Sequence, residues 1–125
     1  MIPVDVFYTE EFEDWFTSLR ETQQDEVIVV VRMLESAGVM LGFPASSALK
    51  GSRLPLRELR PKQGRSPLRV VYAFDPDRDA VLLVGGNKGT EKRFYERIIS
   101  AAEKIWVKYL AERESVARWE REPKR

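Results

Sequence analysis

Two groups of residues in this sequence have the types and spacing to do chemistry. The first is a run of cations, Lys50, Arg53, Arg57, Arg60, Lys62, Arg65 and Arg69, interrupted by one acid, Glu58. A contiguous stretch of one sign suits a polyanion, and nucleic acid is the commonest polyanion. The spacing is irregular, so the run is not one helix face. On paired strands Arg57 and Arg69 are expected to converge. Two cations that close repel by roughly 1 kcal/mol or more at intermediate dielectric, and an anion between them would relieve the repulsion. A solvated hairpin that exposes its arginines fits the same residues. The second group is Lys88-Gly89-Thr90-Glu91-Lys92-Arg93-Phe94-Tyr95. A lysine in the first turn of a helix capped by Thr90 would face the positive end of the helix dipole, which disfavours the ammonium form. With Arg93 and Arg69 nearby, this is one route to a general base without histidine. Tyr95, one turn on, is placed to stack on a base, as aromatic residues do with single-stranded RNA. A solvated lysine and a core tyrosine fit this segment equally.

Composition removes several chemistries. The 125 residues include no cysteine and no histidine, which excludes a disulfide framework, a thiolate metal site, a cysteine nucleophile, a zinc nuclease and a histidine-dependent ribonuclease. Gly85–Thr90 lacks the Gly-Lys-Ser/Thr order of a phosphate loop. The run Asp75, Asp77, Asp79 has neither the glycine at the sixth position nor the glutamate at the twelfth that a calcium loop needs. No metal and no cofactor is therefore expected. The net charge of +1 conceals a division: residues 1–35 hold nine acids and two bases, while residues 50–69 hold seven bases and one acid. No basic leader or long apolar run opens the chain, and the apolar runs 27–31 and 80–84 are too short to cross a bilayer. A cytoplasmic protein with no membrane partner is expected.

Periodicity assigns the elements that must position these residues. Pro3–Tyr8 reads as a short first strand. Thr9 is a plausible N-cap for a helix over Glu10–Leu19, in which Phe12, Trp15, Phe16 and Leu19 form an apolar stripe and three acids occupy the first turn. Thr22 is expected to cap a second helix over Gln23–Ala37 that stops at Gly38. Val39–Ser47 is loop-like. Leu54–Arg60 reads as a second strand, 61–67 as a basic hairpin loop and Leu68–Phe74 as a strand with Arg69, Val71 and Ala73 on one face. Ala80–Val84 reads as a strand buried on both faces and Gly85–Gly89 as a flexible connection. A long final helix follows, running to about Trp119. The order β-α-α-β-β-β-α predicts an α+β fold: an antiparallel sheet of about four strands with an N-terminal helical hairpin and a long C-terminal helix. Helices are expected to cover one face, leaving Arg69 in an open concave surface on the other. The expected division is a domain over 1–110 and a charged extension over 111–125.

These motifs resemble, in order, those of the RelE/ParE toxin superfamily, and especially its phage-derived HigB-like branch. The residues that carry the resemblance are Leu49-Lys50-Gly51, Leu56-Arg57-Glu58-Leu59-Arg60, Leu68-Arg69-Val70-Val71-Tyr72 and Lys88-Gly89-Thr90-Glu91-Lys92. It spans about residues 4–108 and implies a type II toxin that cuts mRNA in the ribosomal A site and is silenced by an antitoxin, expected to be of helix-turn-helix type. Carried over, it implies catalytic roles for Arg60, Arg69, Lys88, Lys92 and Tyr95, and RNA contacts by Lys50, Arg53, Arg57, Lys62, Arg65 and Arg93. The ribose 2′-OH would attack its own 3′-phosphate, with Arg69 on the phosphate oxygens, Arg60 neutralising charge, Lys92 or Lys88 as base and Tyr95 packing the nucleobase. Gly89 and Arg93-Phe94 depart from the family's lysine-lysine-threonine-x-lysine and threonine-proline pattern. Two rivals remain: a ParE-like gyrase inhibitor on the same fold, and a nucleic-acid-binding module without catalysis. The acidic N-terminal helices and the tail 112–125 are candidate antitoxin surfaces.

Overall fold

The computed structural model describes residues 2–113, 116–119 and 123. Its elements run β1 (Val6–Tyr8), α1 (Glu10–Ser18), α2 (Glu21–Ala37), β2 (Ser46–Ala48), β3 (Arg57–Leu59), β4 (Leu68–Phe74), β5 (Ala80–Asn87), α3 (Phe94–Ala111) and β6 (Ala117–Arg118). The strands make one mixed sheet in the order β2-β3-β4-β5-β1-β6. β3, β4 and β5 form the expected antiparallel meander. β1 lies parallel to β5.

Local chemistry sets the helix ends. Thr9 caps α1: its Oγ accepts from the Phe12 N–H at 3.1 Å and donates to the Leu83 carbonyl at 2.6 Å, tying the helix start to β5. The cap of α2 falls at Arg20, not Thr22, because the Gln23 side chain reaches back to accept from the Arg20 N–H. Gly38 ends α2 with φ of +58°, a conformation that favours glycine.

The α+β class stands, with six strands where about four were expected. The additional pairings come from short segments of three and two residues, too brief to alternate visibly. β2 (Ser46–Ala48) pairs with β3 at the end of the expected loop, which takes in Ser46 and Ser47. β6 pairs with β1 after the chain turns back, so the last helix ends at Ala111 and does not reach Trp119. Trp119 enters the core edge-on to Tyr8 and Phe16. The connection expected at Gly85–Gly89 is in large part strand. Gly85 and Gly86 pair with Val70 and Arg69, and a β-carbon on Gly85 would fall within the Trp15 ring. Here glycine admits a close neighbour and does not provide flexibility.

Helices cover both faces of the sheet. Against α1 and α2 pack Tyr8, Leu59, Val70, Tyr72 and Leu82. Against α3 pack Leu56, Val71, Ala73, Val81 and Leu83. Alternation along β4 places Arg69 with Val71 and Ala73, on the α3 side. Arg69 is therefore buried, only 3% exposed, and the open concave surface expected around it is absent.

Candidate functional site

Arg57, Glu58 and Leu59 of β3 register against Tyr72, Val71 and Val70 of β4. Glu58 shares a face with Val71, and hence with Arg69 two residues along. Arg57 shares the opposite face with Tyr72, where its Nε donates to Ser46 Oγ at 3.2 Å and Tyr72 Oη at 3.3 Å. The expected convergence of Arg57 and Arg69 therefore does not occur, because odd and even positions of a strand point to opposite sides. What converges on Arg69 is Glu58, the lone acid of the basic run.

Glu58 is the hub of a polar cluster. Its Oε1 accepts from the Tyr95 hydroxyl at 2.7 Å and lies 3.6 Å from Arg69 Nε. Its Oε2 accepts from Ser47 Oγ at 2.9 Å and lies 3.9 Å from Arg60 Nε. The carboxylate is 7% exposed, and burial of a charge is tolerable only with such partners. Arg69 Nη1 donates to the carbonyls of Ser66 at 2.6 Å and Leu68 at 2.7 Å, so its guanidinium is fixed by its own strand. Arg69 Nε is buried without a hydrogen-bond acceptor in range. Arg60 Nη1 donates to the Pro44 carbonyl, and its guanidinium lies 4.8 Å from the centre of the Phe43 ring. The Lys88 ammonium lies 5.6 Å from the centre of the Tyr95 ring, and the Lys88 N–H donates to the Pro67 carbonyl, which ties it to the loop before β4.

One carboxylate thus sits between two guanidinium groups and a phenol, so the cluster carries excess positive charge, and Lys88 joins it through the Tyr95 ring. Burial and then the Glu58 hydrogen bond hold the Tyr95 phenol above its ordinary value. At neutral pH that hydroxyl is protonated and donates. The Lys88 ammonium group lies over the Tyr95 ring, and Phe94 meets that ring edge-on at 5.1 Å.

The structure brings together Arg60, Arg69, Lys88 and Tyr95. It places other candidates elsewhere. α3 starts at Phe94, four residues beyond Thr90, so Lys92 lies before the helix and not in its first turn; its side chain is exposed. Arg93 is exposed and lies 3.9 Å from Glu96. Arg53 lines a groove of about 620 Å³ against Glu103, Lys104 and Val107 of α3. Lys50 is exposed. Lys62 and Arg65 line a different groove, against α2. Glu58 and Ser47 were missed as site residues. For Glu58 the signal was present, since a single acid inside a run of seven bases at an inward strand position asks for a partner. Among the described residues, no three acids converge as a metal site would require, and no helix is long and apolar enough to cross a membrane.

Residues 14–107 match the family described as phage derived protein Gp49-like (DUF891). The chain belongs to this Gp49-like family. Its relatives include two candidate toxins of Mycobacterium tuberculosis. HigB2 is 37% identical over 106 residues, 82% of this chain and 53% of its own length. HigB3 is 35% identical over 103 residues, 81% of this chain and 89% of its own length. The Gp49-like chain thus spans about half of HigB2 and most of HigB3. Its fold is of the RelE type. It resembles the crystal structure of the M. tuberculosis RelBE2 toxin-antitoxin complex, with TM-score 0.55 and 16% identity over 69% of this chain and 99% of the other. The archaeal RelE-RelB complex from Pyrococcus horikoshii gives TM-score 0.53 and 19% identity over 72% and 100%. The phage-derived, HigB-like branch expected from the four motifs is therefore that of the chain.

Proposed function

We propose that this Gp49-like chain is the toxin of a type II toxin-antitoxin pair and acts as a metal-independent endoribonuclease on mRNA held in the ribosome. One observation carries the reading: Arg60 just past β3, Arg69 of β4 and Tyr95 of α3 meet around Glu58, and Lys88 just past β5 lies over the Tyr95 ring. Relatives named as toxins, and structural neighbours solved with RelB-type partners, support the toxin role and a cognate antitoxin.

Positioning and charge stabilisation dominate such a reaction. The scissile phosphate approaches the cationic side of the cluster, where Arg60 and the anchored Arg69 offset the growing charge on its oxygens. Lys88, in the amine form that alone can accept, takes the proton from the ribose 2′-OH as that oxygen bonds to phosphorus. The bond to the 5′-oxygen breaks, and this oxygen leaves with the proton that Lys88 has taken, which restores the amine. The products are a 2′,3′-cyclic phosphate and a 5′-hydroxyl. Tyr95 contributes its hydroxyl, which holds Glu58, rather than a stacking face. Lys92 has no contact with the cluster among the described residues, so Lys88 is the preferred base.

The test is cleavage of a defined mRNA on programmed ribosomes in the presence of a chelator, with the new ends analysed chemically. Lys88→Ala should lower the rate about 100-fold or more, the usual scale for a lost general base, without altering the melting temperature by more than a few degrees. Undiminished cleavage by Lys88→Ala would remove it as base. An intact mRNA with accumulating DNA breaks would point instead to gyrase.

A further inference from the structure

Large apolar side chains are exposed along α2 and the segment that follows it, at Val29, Met33, Val39, Met40 and Phe43. Exposed apolar side chains that gather mark an interaction surface. Val29 and Met33 of α2 line a groove of about 190 Å³ together with Arg60, Lys62 and Arg65. They are 58% and 40% exposed. No carboxylate lines the groove, and neither Lys62 nor Arg65 has an acidic partner among the described residues. Lys62 and Gln63 hold left-handed backbone, with φ of +55° and +57°, which is strained for residues other than glycine. An apolar floor beside unpaired cations fits a segment with an apolar stripe and an acidic flank.

We propose that this groove receives an acidic amphipathic segment of the antitoxin, and that Arg60 transmits its arrival to the catalytic cluster. Arg60 belongs to both places. It lines the groove and also lies 3.9 Å from Glu58. A carboxylate entering from the α2 side competes with Glu58 for this guanidinium and withdraws a cation from the phosphate site. The inference rests on the toxin reading above for the identity of the partner, but binding tests it without reference to catalysis.

The experiment titrates the purified chain with the antitoxin encoded beside it, and in parallel scores antitoxin rescue of growth arrest. Two double variants are used, Val29→Asp with Met33→Asp and Val29→Ser with Met33→Ser, each checked for an unchanged fold by thermal melting. The aspartate pair should raise Kd about 100-fold or more, the serine pair about tenfold, and the aspartate variant should arrest growth beyond rescue. Wild-type Kd should rise with added salt, as cation-acid contacts require. A Kd within threefold of wild type for both variants overturns the proposal, and if the aspartate pair does not fold, the serine pair alone decides. Unchanged antitoxin affinity with weakened ribosome binding would also overturn it, and make the groove an RNA contact. A wild-type chain that binds its antitoxin through the groove yet leaves mRNA intact would sink the nuclease reading and leave the docking inference standing.

Discussion

Neutralising Glu58 is the sharpest probe of the cluster. Glu58→Gln keeps the shape of the side chain and one acceptor oxygen, for Tyr95 or for Ser47, puts an NH2 group in place of the other, and removes the charge facing Arg69 and Arg60. The nearer approach, 3.6 Å to Arg69 Nε, corresponds to an attraction of about 5 kcal/mol at an effective dielectric of 20. Desolvation offsets part of that attraction in the intact protein. The variant instead leaves Arg69, 3% exposed, as a buried cation without its counter-ion, a change that typically destabilises by about 3–5 kcal/mol. With one of the two accepted hydrogen bonds retained, we expect a loss of about 3 kcal/mol or slightly more, or a fall in Tm of at least about 10 °C for a chain of this size. Urea titration at pH 7 measures it. The decisive comparison is a double-mutant cycle with Arg69→Met. If the two groups stabilise each other, the double variant will lose at least about 1 kcal/mol less than the sum of the singles. A loss under about 1 kcal/mol for Glu58→Gln, or additivity within about 0.5 kcal/mol, would refute the account of a coupled buried pair.

Three further outcomes test the scaffold. Trp119→Ala should destabilise by about 3 kcal/mol, since it empties a buried aromatic site against Tyr8, Phe12 and Phe16; a melting curve superimposable on wild type would mean that the C-terminal segment does not pack there in solution. Gly85→Ala should cost about 2 kcal/mol through collision with Trp15, and pairing it with Trp15→Leu should restore part of the loss in the same denaturation assay. Burial, and then the hydrogen bond to Asp75, push the Tyr109 phenol up to about 12 from its ordinary 10.0. Because the folded value is raised, the stability it contributes is complete below pH 10 and is lost as pH climbs from 10 towards 12. Urea midpoints across that range should fall for wild type, and the fall should be smaller for Tyr109→Phe.

The parts of the fold legible in the sequence are those with a strong period or a strong cap. Thr9 and the Phe12–Phe16 stripe place α1, and the alternation of Leu68–Phe74 assigns each face of β4 correctly, Arg69 included. The sequence could not show what covers the Arg69 face, because one helix serves as a lid for either side until the crossover is known. β2 and β6 escaped because pairing with a neighbour defines segments so short, and no propensity marks them. At the site, the basic residues were legible as a group but not as two groups: strand parity sends Arg57 to one side of the sheet and Arg69 to the other. The start of α3 was misplaced because Thr90 looks like a cap, while the chain makes a further turn before Phe94 drops into the core. That shift separates Lys88 from Lys92.

The tether of Arg69 to two carbonyls of its own chain has a thermodynamic consequence. A free arginine gives up about 2 kcal/mol of rotameric entropy when it is immobilised. Here the immobilisation happens during folding, through Ser66 and Leu68. Any anion that approaches the cluster meets a charge whose orientation is already settled, and its attraction carries little further loss of side-chain freedom. A lysine in the same place, with a compact head and no planar fork, has no means of being anchored at one nitrogen while presenting another.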